Sequence, residues 1–331
     1  MSFEAVENPP RPIIILGPTA GGKSELAVKL CESLPEHGEV ISADSMQIYK
    51  HMDAGTAKPS HQQRARAPHQ MIDVAEPTER FTVSDWLAQT EYHLKRLASE
   101  NKRAIIVGGT NLYLNALLQG MFDGPGEDID YRQSLKDIHE YELHQLLKQV
   151  DPEASTRIFP NDRKRIVRAL EVFHLTRKPI SEWQKQWDAE KQKPYRYNPV
   201  LIGLDWPVEP INARINLRVK AMFYPEKVES ELAREVCLNG ENLVDETRRL
   251  EQTNQLGKQA REALGYKQVL DHLAGHLTLS ESFERTKILT RRFAKQQRTW
   301  LRRYRDVYWV PANDKTDEER LHNALAILNT Q

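Results

Sequence analysis

An α/β fold, with a parallel sheet flanked by helices and a helical insertion, is what the sequence predicts, and three observations predict it. Ile13-Ile14-Ile15-Leu16 is a short apolar run suited to a buried strand; a glycine-rich stretch follows at once, and Leu26, Ala27, Leu30 and Leu34 then recur at helical spacing. Apolar runs at residues 39–43, 104–107 and 200–206 repeat the strand signal, separated by helical patterns. From Gly120 to about Pro199 the character changes: a turn-rich linker, MFDGPGEDID, leads into long polar helical patterns with almost no strand-like run.

The glycine-rich stretch is Gly17-Pro18-Thr19-Ala20-Gly21-Gly22-Lys23-Ser24. Its spacing of Gly, four residues, Gly, Lys and Ser lets successive backbone amides curl around a phosphate oxygen. Lys23 and a cation held by Ser24 balance the remaining charge. The helix that follows adds its positive dipole end at the same place. The alternative is an ordinary glycine turn. With the strand before it and the helix after it, the stretch reads as a phosphate-binding loop in a sheet of the P-loop NTPase-like kind.

Glu39-Val40-Ile41-Ser42-Ala43 is a second strand that delivers Asp44 at its carboxyl end, the edge where open α/β sheets bind ligands. Asp44 is a candidate metal ligand, hydrogen-bond acceptor or general base, and spacing does not choose among them. A helix N-cap at Asp44 or Ser45 is the structural alternative. Residues 61–100 read as mostly helical, with Thr82 or Ser84 as a start. Ala104-Ile105-Ile106-Val107 is a third strand ending in Gly108-Gly109-Thr110, without the acidic residue that nucleotide-hydrolysing P-loop enzymes place there. Val200–Trp206 is a fourth strand, and Val307–Val310 a last short one.

Composition narrows the class. The 331 residues are 39% hydrophobic and 28% charged, which describes a soluble globular protein large enough for a main domain and an attached one. Residues 1–120 read as the first part of the core, 121–199 as the helical insertion and 200–331 as the core's continuation. MSFEAVENPP has no apolar centre and does not read as a secretory signal, and no apolar run reaches membrane-spanning length. Cys31 and Cys237 lack metal-ligand spacing and suit a reducing compartment, hence a cytoplasmic address.

With 47 basic and 47 acidic residues the net charge is zero, so any polyanion must use a local stripe. Two are visible. In NDRKRIVRALEVF, Asn161 or Asp162 can cap a helix whose apolar stripe is Ile166, Leu170 and Phe173, leaving Arg163, Lys164, Arg165 and Arg168 on other faces. A solvated basic face and a phosphate contact are both consistent with that pattern. In TRRFAKQQRTWLRRYR, Arg291, Lys295, Arg298, Arg302 and Arg305 recur along one side of a predicted helix, with Leu289, Phe293, Trp300 and Tyr304 expected on the core side.

GPTAGGKS, ISADSMQIYKHMDAGTAKPS, APHQMID, VGGTNLYLNALLQG, NDRKRIVRALEVF, LGYKQ and AKQQRTWLR, in that order, resemble the motifs of the tRNA dimethylallyltransferase (tRNA isopentenyltransferase) family. The resemblance implies transfer of the dimethylallyl group of dimethylallyl diphosphate to N6 of adenosine 37, beside the anticodon, with Mg²⁺ required and diphosphate released. It implies that Gly17 to Ser24 hold the donor diphosphate, with Ser24 on the metal. It further implies that Asp44 accepts a proton from the amine, that Thr110 contacts the same site, and that Asp44, Ser45, Met46, Gln47, Thr110, Arg132, Asn161, Asp162, Arg163, Lys164 and Arg165 contact the tRNA. The target base would have to leave its stack. A monomer acting on an anticodon stem-loop is expected, with no membrane partner. One departure stands out: some bacterial members carry arginine three residues before the glycine of the GY[KR]Q motif, and here that position is Glu262, with Arg261 one place earlier. Prenyl transfer to free adenine nucleotides and an RNA-stimulated P-loop ATPase or kinase are the competing readings.

Overall fold

The computed structural model describes residues 9–121, 124–190 and 194–331. The expectation for the first eight residues, and part of that for the linker at 121–130, lies outside the described residues. The chain divides into two compact units, one containing the described residues up to Asn115 together with Tyr197–Gln331, the other Ala116–Arg196.

The first unit is built on strands β1 (Ile13–Leu16), β2 (Gly38–Ser42), β3 (His69–Gln70), β4 (Arg103–Val107), β5 (Val200–Asp205) and β6 (Val307–Pro311), in the order β3-β2-β4-β1-β5-β6. Every pairing is parallel. All four residues of β1 are buried, which is why this strand is uninterrupted Ile and Leu rather than alternating: an interior parallel strand is covered on both faces. Because β4 lies between β2 and β1, the carboxyl ends of these three strands stand side by side, with β1 and β2 about 10 Å apart.

Helices α1 (Lys23–Ser33), α2 (His61–Arg66) and α3 (Val83–Ser99) link the first four strands, and α4 (Asn111–Gln119) follows β4. Residues 61–100 are less helical than expected, because β3 and a run of turns separate α2 from α3. Two residues pairing with Val40 and Ile41 are too few to leave a periodicity. Thr82 is the cap of α3: its side chain accepts from Asp85 N while Asp85 answers to the Thr82 amide. Trp86 on α3 is fully buried, stacks on Tyr113 at 4.6 Å between ring centres, and donates its indole N–H to Ser42 O. The wall behind the strand tips is thereby fixed.

In the second unit, α5 (Ile129–Ser134), α6 (Glu140–Val150), α7 (Pro152–Arg157), α8 (Arg163–Thr176) and α9 (Ile180–Glu190) gather around Leu143, Leu147, Ile166, Ala169, Leu170 and Val172. Asp162, rather than Asn161, caps α8 by accepting from Arg165 N.

The remaining helices return to the first unit: α10 (Val208–Phe223), α11 (Ser230–Val236), α12 (Leu243–Gln252), α13 (Lys258–Arg261), α14 (Tyr266–Leu273), α15 (Leu279–Leu301) and α16 (Asp317–Leu328). The buried side of α15 differs from the expectation. It consists of Ser282, Thr286, Ala294, Gln297 and Leu301, whereas Phe293 and Trp300 are about two-fifths exposed, at 40% and 39%. Small side chains let α10 and α14 pack close against α15, which displaces the large rings to the rim. The helix also ends at Leu301, so of the five predicted cations Arg302 is its C-cap and Arg305 lies beyond it. Both cysteines are buried and free, and burial pushes the thiol of Cys31 up to about 12 and that of Cys237 to about 11, so they sit as small inert hydrophobes. Among the described residues no helix is long and apolar enough to cross a membrane.

Candidate active site

The glycine loop leaves β1 and turns into α1 at Gly22, whose φ of 83° is left-handed backbone that glycine adopts without strain. Gly21 has a separate reason: a Cβ there would stand 2.8 Å from Pro18 O, which its own amide approaches at 3.2 Å. The first-turn amides of α1, including those of Lys23 and Ser24, have no intrahelical partner. Lys23 Nζ donates to Pro18 O at 2.8 Å. The Ser24 hydroxyl makes no hydrogen bond to any described residue.

Three side chains that sequence reasoning missed hold the loop from behind. Trp206, just past β5, donates from Nε1 to Gly21 O at 3.0 Å; Arg214 on α10 donates from Nε to Ala20 O at 2.8 Å; and Gln297 on α15 accepts from Thr19 N at 2.8 Å. The other end of the Gln297 amide donates to Gly109 O at 3.1 Å, so one side chain joins the β1 loop to the tip of β4. A fourth, Arg218, lies one turn beyond Arg214 with Nη1 3.5 Å from Thr19 Oγ1. The signal for this pair was in the sequence: Arg214 and Arg218 are four apart on a helix whose Ile211, Ile215 and Val219 face the core.

Charge at this loop is compressed. Burial, then the nearby Arg218, lowers Lys23 from 10.5 to about 8, against the pull of Asp44. Burial likewise lowers Arg218 to about 10, with Asp44 opposing and Arg214 reinforcing the shift. Two half-buried cations, with one carboxylate felt by both, form a seat for an anion.

That carboxylate is Asp44. Its Oδ1 accepts from Met46 N at 2.9 Å and Gln47 N at 3.3 Å, an Asx turn that opens no helix, and Oδ2 has no partner among the described residues. Thr110, at the tip of β4, accepts from Ser45 N at 2.9 Å and donates to Ser45 Oγ at 3.3 Å. Gln47 accepts from Ser42 Oγ and donates to Thr56 O and Ala57 O. The close approach behind this turn needs Gly108, where a Cβ would collide with Ala43 O at 2.1 Å. Residues 17–24, Asp44, Ser45, Gln47 and Thr110 are thus brought to one crevice by adjacent strand ends.

In the second unit, Arg132 forms a two-pronged pair with the fully buried Glu171 at 2.7 and 2.8 Å, and Arg168 joins the same carboxylate at 2.6 Å. Burial pushes Glu171 up, but the two guanidiniums outweigh it and hold its carboxyl below the usual range. Arg163 donates to the carbonyls of Ile138, Leu135 and Lys136. Asn161, Lys164 and Arg165 are exposed, and Arg165 leans on Asp162 at 3.3 Å. On α15, Arg291, Arg292, Lys295 and Arg298 line a cavity of about 300 Å³ with Asn212 of α10, and none of the four has a carboxylate partner among the described residues. Arg261 pairs with Glu251 and Glu262 with Lys267, all four side chains being exposed to solvent. No group of three or more His, Cys, Asp or Glu is arranged to hold a metal among the described residues.

A family model described as IPP transferase matches residues 47–304. A tRNA dimethylallyltransferase of Geobacter sulfurreducens is 41% identical over 307 residues, covering 91% of this chain and 92% of that one. The crystal structure of a full-length tRNA isopentenylpyrophosphate transferase from Bacillus halodurans superposes with a TM-score of 0.67 at 32% identity, covering 97% of this chain and 96% of that one. A eukaryotic dimethylallyltransferase solved acting on tRNA gives a TM-score of 0.76 at 26% identity over 96% of this chain and 78% of its own. Similarity of this extent, in sequence and in fold, places the chain in the IPP transferase family, that of the tRNA dimethylallyltransferases.

Proposed function

We propose that this enzyme transfers the dimethylallyl group of dimethylallyl diphosphate to N6 of adenosine 37 in tRNA, acting in the cytoplasm as a monomer, since one chain supplies both halves of the site. The observation that carries the reading is the convergence on one crevice of the glycine loop, two crowded cations and a carboxylate with one free oxygen. The C1–O bond of the donor breaks, the N6–C1 bond forms, the N6 proton passes to Asp44, and diphosphate departs into the loop. The exocyclic amine is a weak nucleophile because its lone pair is shared with the purine. Holding it against an activated allylic carbon therefore supplies much of the rate.

In this reading Lys23, Arg218 and the first-turn amides of α1 meet the charge that grows on the leaving group. Asp44 orients the amine, while Thr110 and Gln47 keep the Asp44–Gln47 turn in place. The uncommitted Ser24 hydroxyl is the side chain that would hold a Mg²⁺, since no acidic cluster is arranged for one among the described residues; when bound, such an ion would supply Lewis-acid stabilisation of the leaving group. Asn161, Lys164 and Arg165, together with Arg132, Asp162 and Arg163 behind them, and the unpaired cations of α15, are the proposed contacts to the anticodon stem-loop. The glycines and threonine at the end of β4, in place of an acid, argue against water activation and nucleotide hydrolysis.

Incubation with dimethylallyl diphosphate, Mg²⁺ and a stem-loop bearing adenosine at position 37 is expected to add one dimethylallyl group by mass. An unchanged mass under saturating donor defeats the proposal. Asp44→Ala is expected to bind the stem-loop within a few fold of the parent and to lose turnover; equal loss of both would make Asp44 a binding residue instead.

A further inference from the structure

The segment Met52–Lys58 has no direct part in the chemistry above, yet side chains from two helices hold its backbone. Glu246 on α12 is 2% exposed, and its Oε2 accepts from Asp53 N at 3.0 Å and Ala54 N at 3.1 Å. Its Oε1 accepts from Tyr266 Oη at 2.5 Å, and the same phenol oxygen accepts from Gly55 N at 3.3 Å. The Tyr266 ring is fully buried and lies so close that a Cβ on Gly55 would stand 2.3 Å from Cε2. Three consecutive amides of an irregular loop are therefore taken up by two side chains from distant helices, where a loop of this kind ordinarily spends such donors on water.

The loop so held presents the carbonyls of Thr56 and Ala57, and both accept from Gln47 Nε2. Gln47 in turn gives its own amide to Asp44 Oδ1 and receives Ser42 Oγ. An unbroken run of hydrogen bonds thus leads from Tyr266 and Glu246 through the loop to the turn that aims Asp44.

We propose that Glu246 and Tyr266 are positioning residues for the transfer: they set the register of the Met52–Lys58 loop so that Gln47 holds the Asp44 carboxylate against the acceptor amine. This rests on the reading of Asp44 as the group at the reacting nitrogen. The donor loop is braced by Trp206 and Arg214, which bond neither the clamp nor Gln47, so loosening the clamp misplaces the acceptor side. The clamp also accounts for the LGYKQ motif, whose tyrosine reaches back to the glycine of DAGTAKP.

Tyr266→Phe removes the phenol from both Glu246 and Gly55 while keeping the ring. It is expected to lower kcat for the stem-loop about tenfold and to leave the KM for dimethylallyl diphosphate within about twofold. Glu246→Gln can still accept from the Asp53 and Ala54 amides and is expected to keep more than half of the activity; Glu246→Ala is expected to fall with Tyr266→Phe. Because the proposed route runs through Gln47, the losses in Tyr266→Phe and Gln47→Ala are expected not to add in the double variant. Fully additive losses, or a fall in thermal stability in Tyr266→Phe and Glu246→Ala with kcat unchanged, would overturn the proposal and leave the clamp a packing feature. Should the reading of Asp44 be at fault instead, Asp44→Ala would retain turnover whatever the clamp variants do.

Discussion

The pH dependence of donor binding follows from the crowding of Lys23. Its ammonium titrates at about 8 in the free protein, because burial and Arg218 both oppose the charge. A bound diphosphate supplies the missing counter-charge and restores protonation, so binding takes up a proton wherever the free enzyme has lost one. The affinity for inorganic pyrophosphate is therefore expected to be flat below the break and to weaken as pH rises through it. One unit above, about one molecule in eleven still carries the charge, so Kd should be about tenfold higher than on the plateau. Inorganic pyrophosphate sheds its own last proton within this range, so the curve of the parent is read against that of Arg218→Gln, in which the ionisation of the ligand is the same.

Arg218→Gln is expected to shift the break upward by about half a unit to one unit, since a like charge has gone, while weakening the plateau. Calorimetric titration in buffers of different ionisation enthalpy reads both the affinity and the protons taken up. A break that stays put in Arg218→Gln, or no break at all near 8, would refute the argument. The same shift has an opposite sign for stability. Below about 8 the ammonium is charged in folded and unfolded chains alike and its cost is constant; between about 8 and the ordinary 10.5 only the unfolded chain is still charged, so this group adds stability as pH rises. Lys23→Met is accordingly expected to raise the melting temperature by a few degrees while abolishing pyrophosphate binding.

Further outcomes are accessible to mutagenesis. Gln297→Leu strips partners from the Thr19 amide and Gly109 carbonyl, and is expected to cost about 1–3 kcal/mol of stability by denaturant titration and to raise the donor KM several fold. Lys58, 2% exposed between Asp53 and Asp73, should not tolerate Lys58→Met: the buried Asp53 loses its cation while the part-buried Asp73 keeps Arg64, at a cost of about 3 kcal/mol that melting curves would record. Lys164→Ala and Arg165→Ala are each expected to reduce the salt slope of stem-loop binding by about one, without effect on pyrophosphate affinity.

Much of this site was legible in the chain because its parts are local. The loop Gly17–Ser24, the strand that ends at Asp44 and the strand that ends at Thr110 each announce themselves within ten residues, and parallel pairing brings their ends together. What escaped depends on contacts across long stretches of chain. Gln297 sits in a helix whose charge pattern drew attention to its arginines, and its value lies in two backbone groups more than 180 positions away. Trp206 and Arg214 act the same way on loop carbonyls. Phe293 and Trp300 misled for the converse reason: apolar spacing marks a face, but close helix packing selects small residues for the contact and leaves rings at its edge.

The forked amide of Gln297 spans the donor loop and the strand tip next to the acceptor turn, and it projects from the same helix that carries the unpaired cations. Such a crosspiece predicts that the two substrates bind with coupled free energies, a coupling that Gln297→Leu is expected to reduce. Whatever factor a seated diphosphate adds to the affinity for RNA, RNA must return to the diphosphate, and cutting the crosspiece lowers both by the same amount.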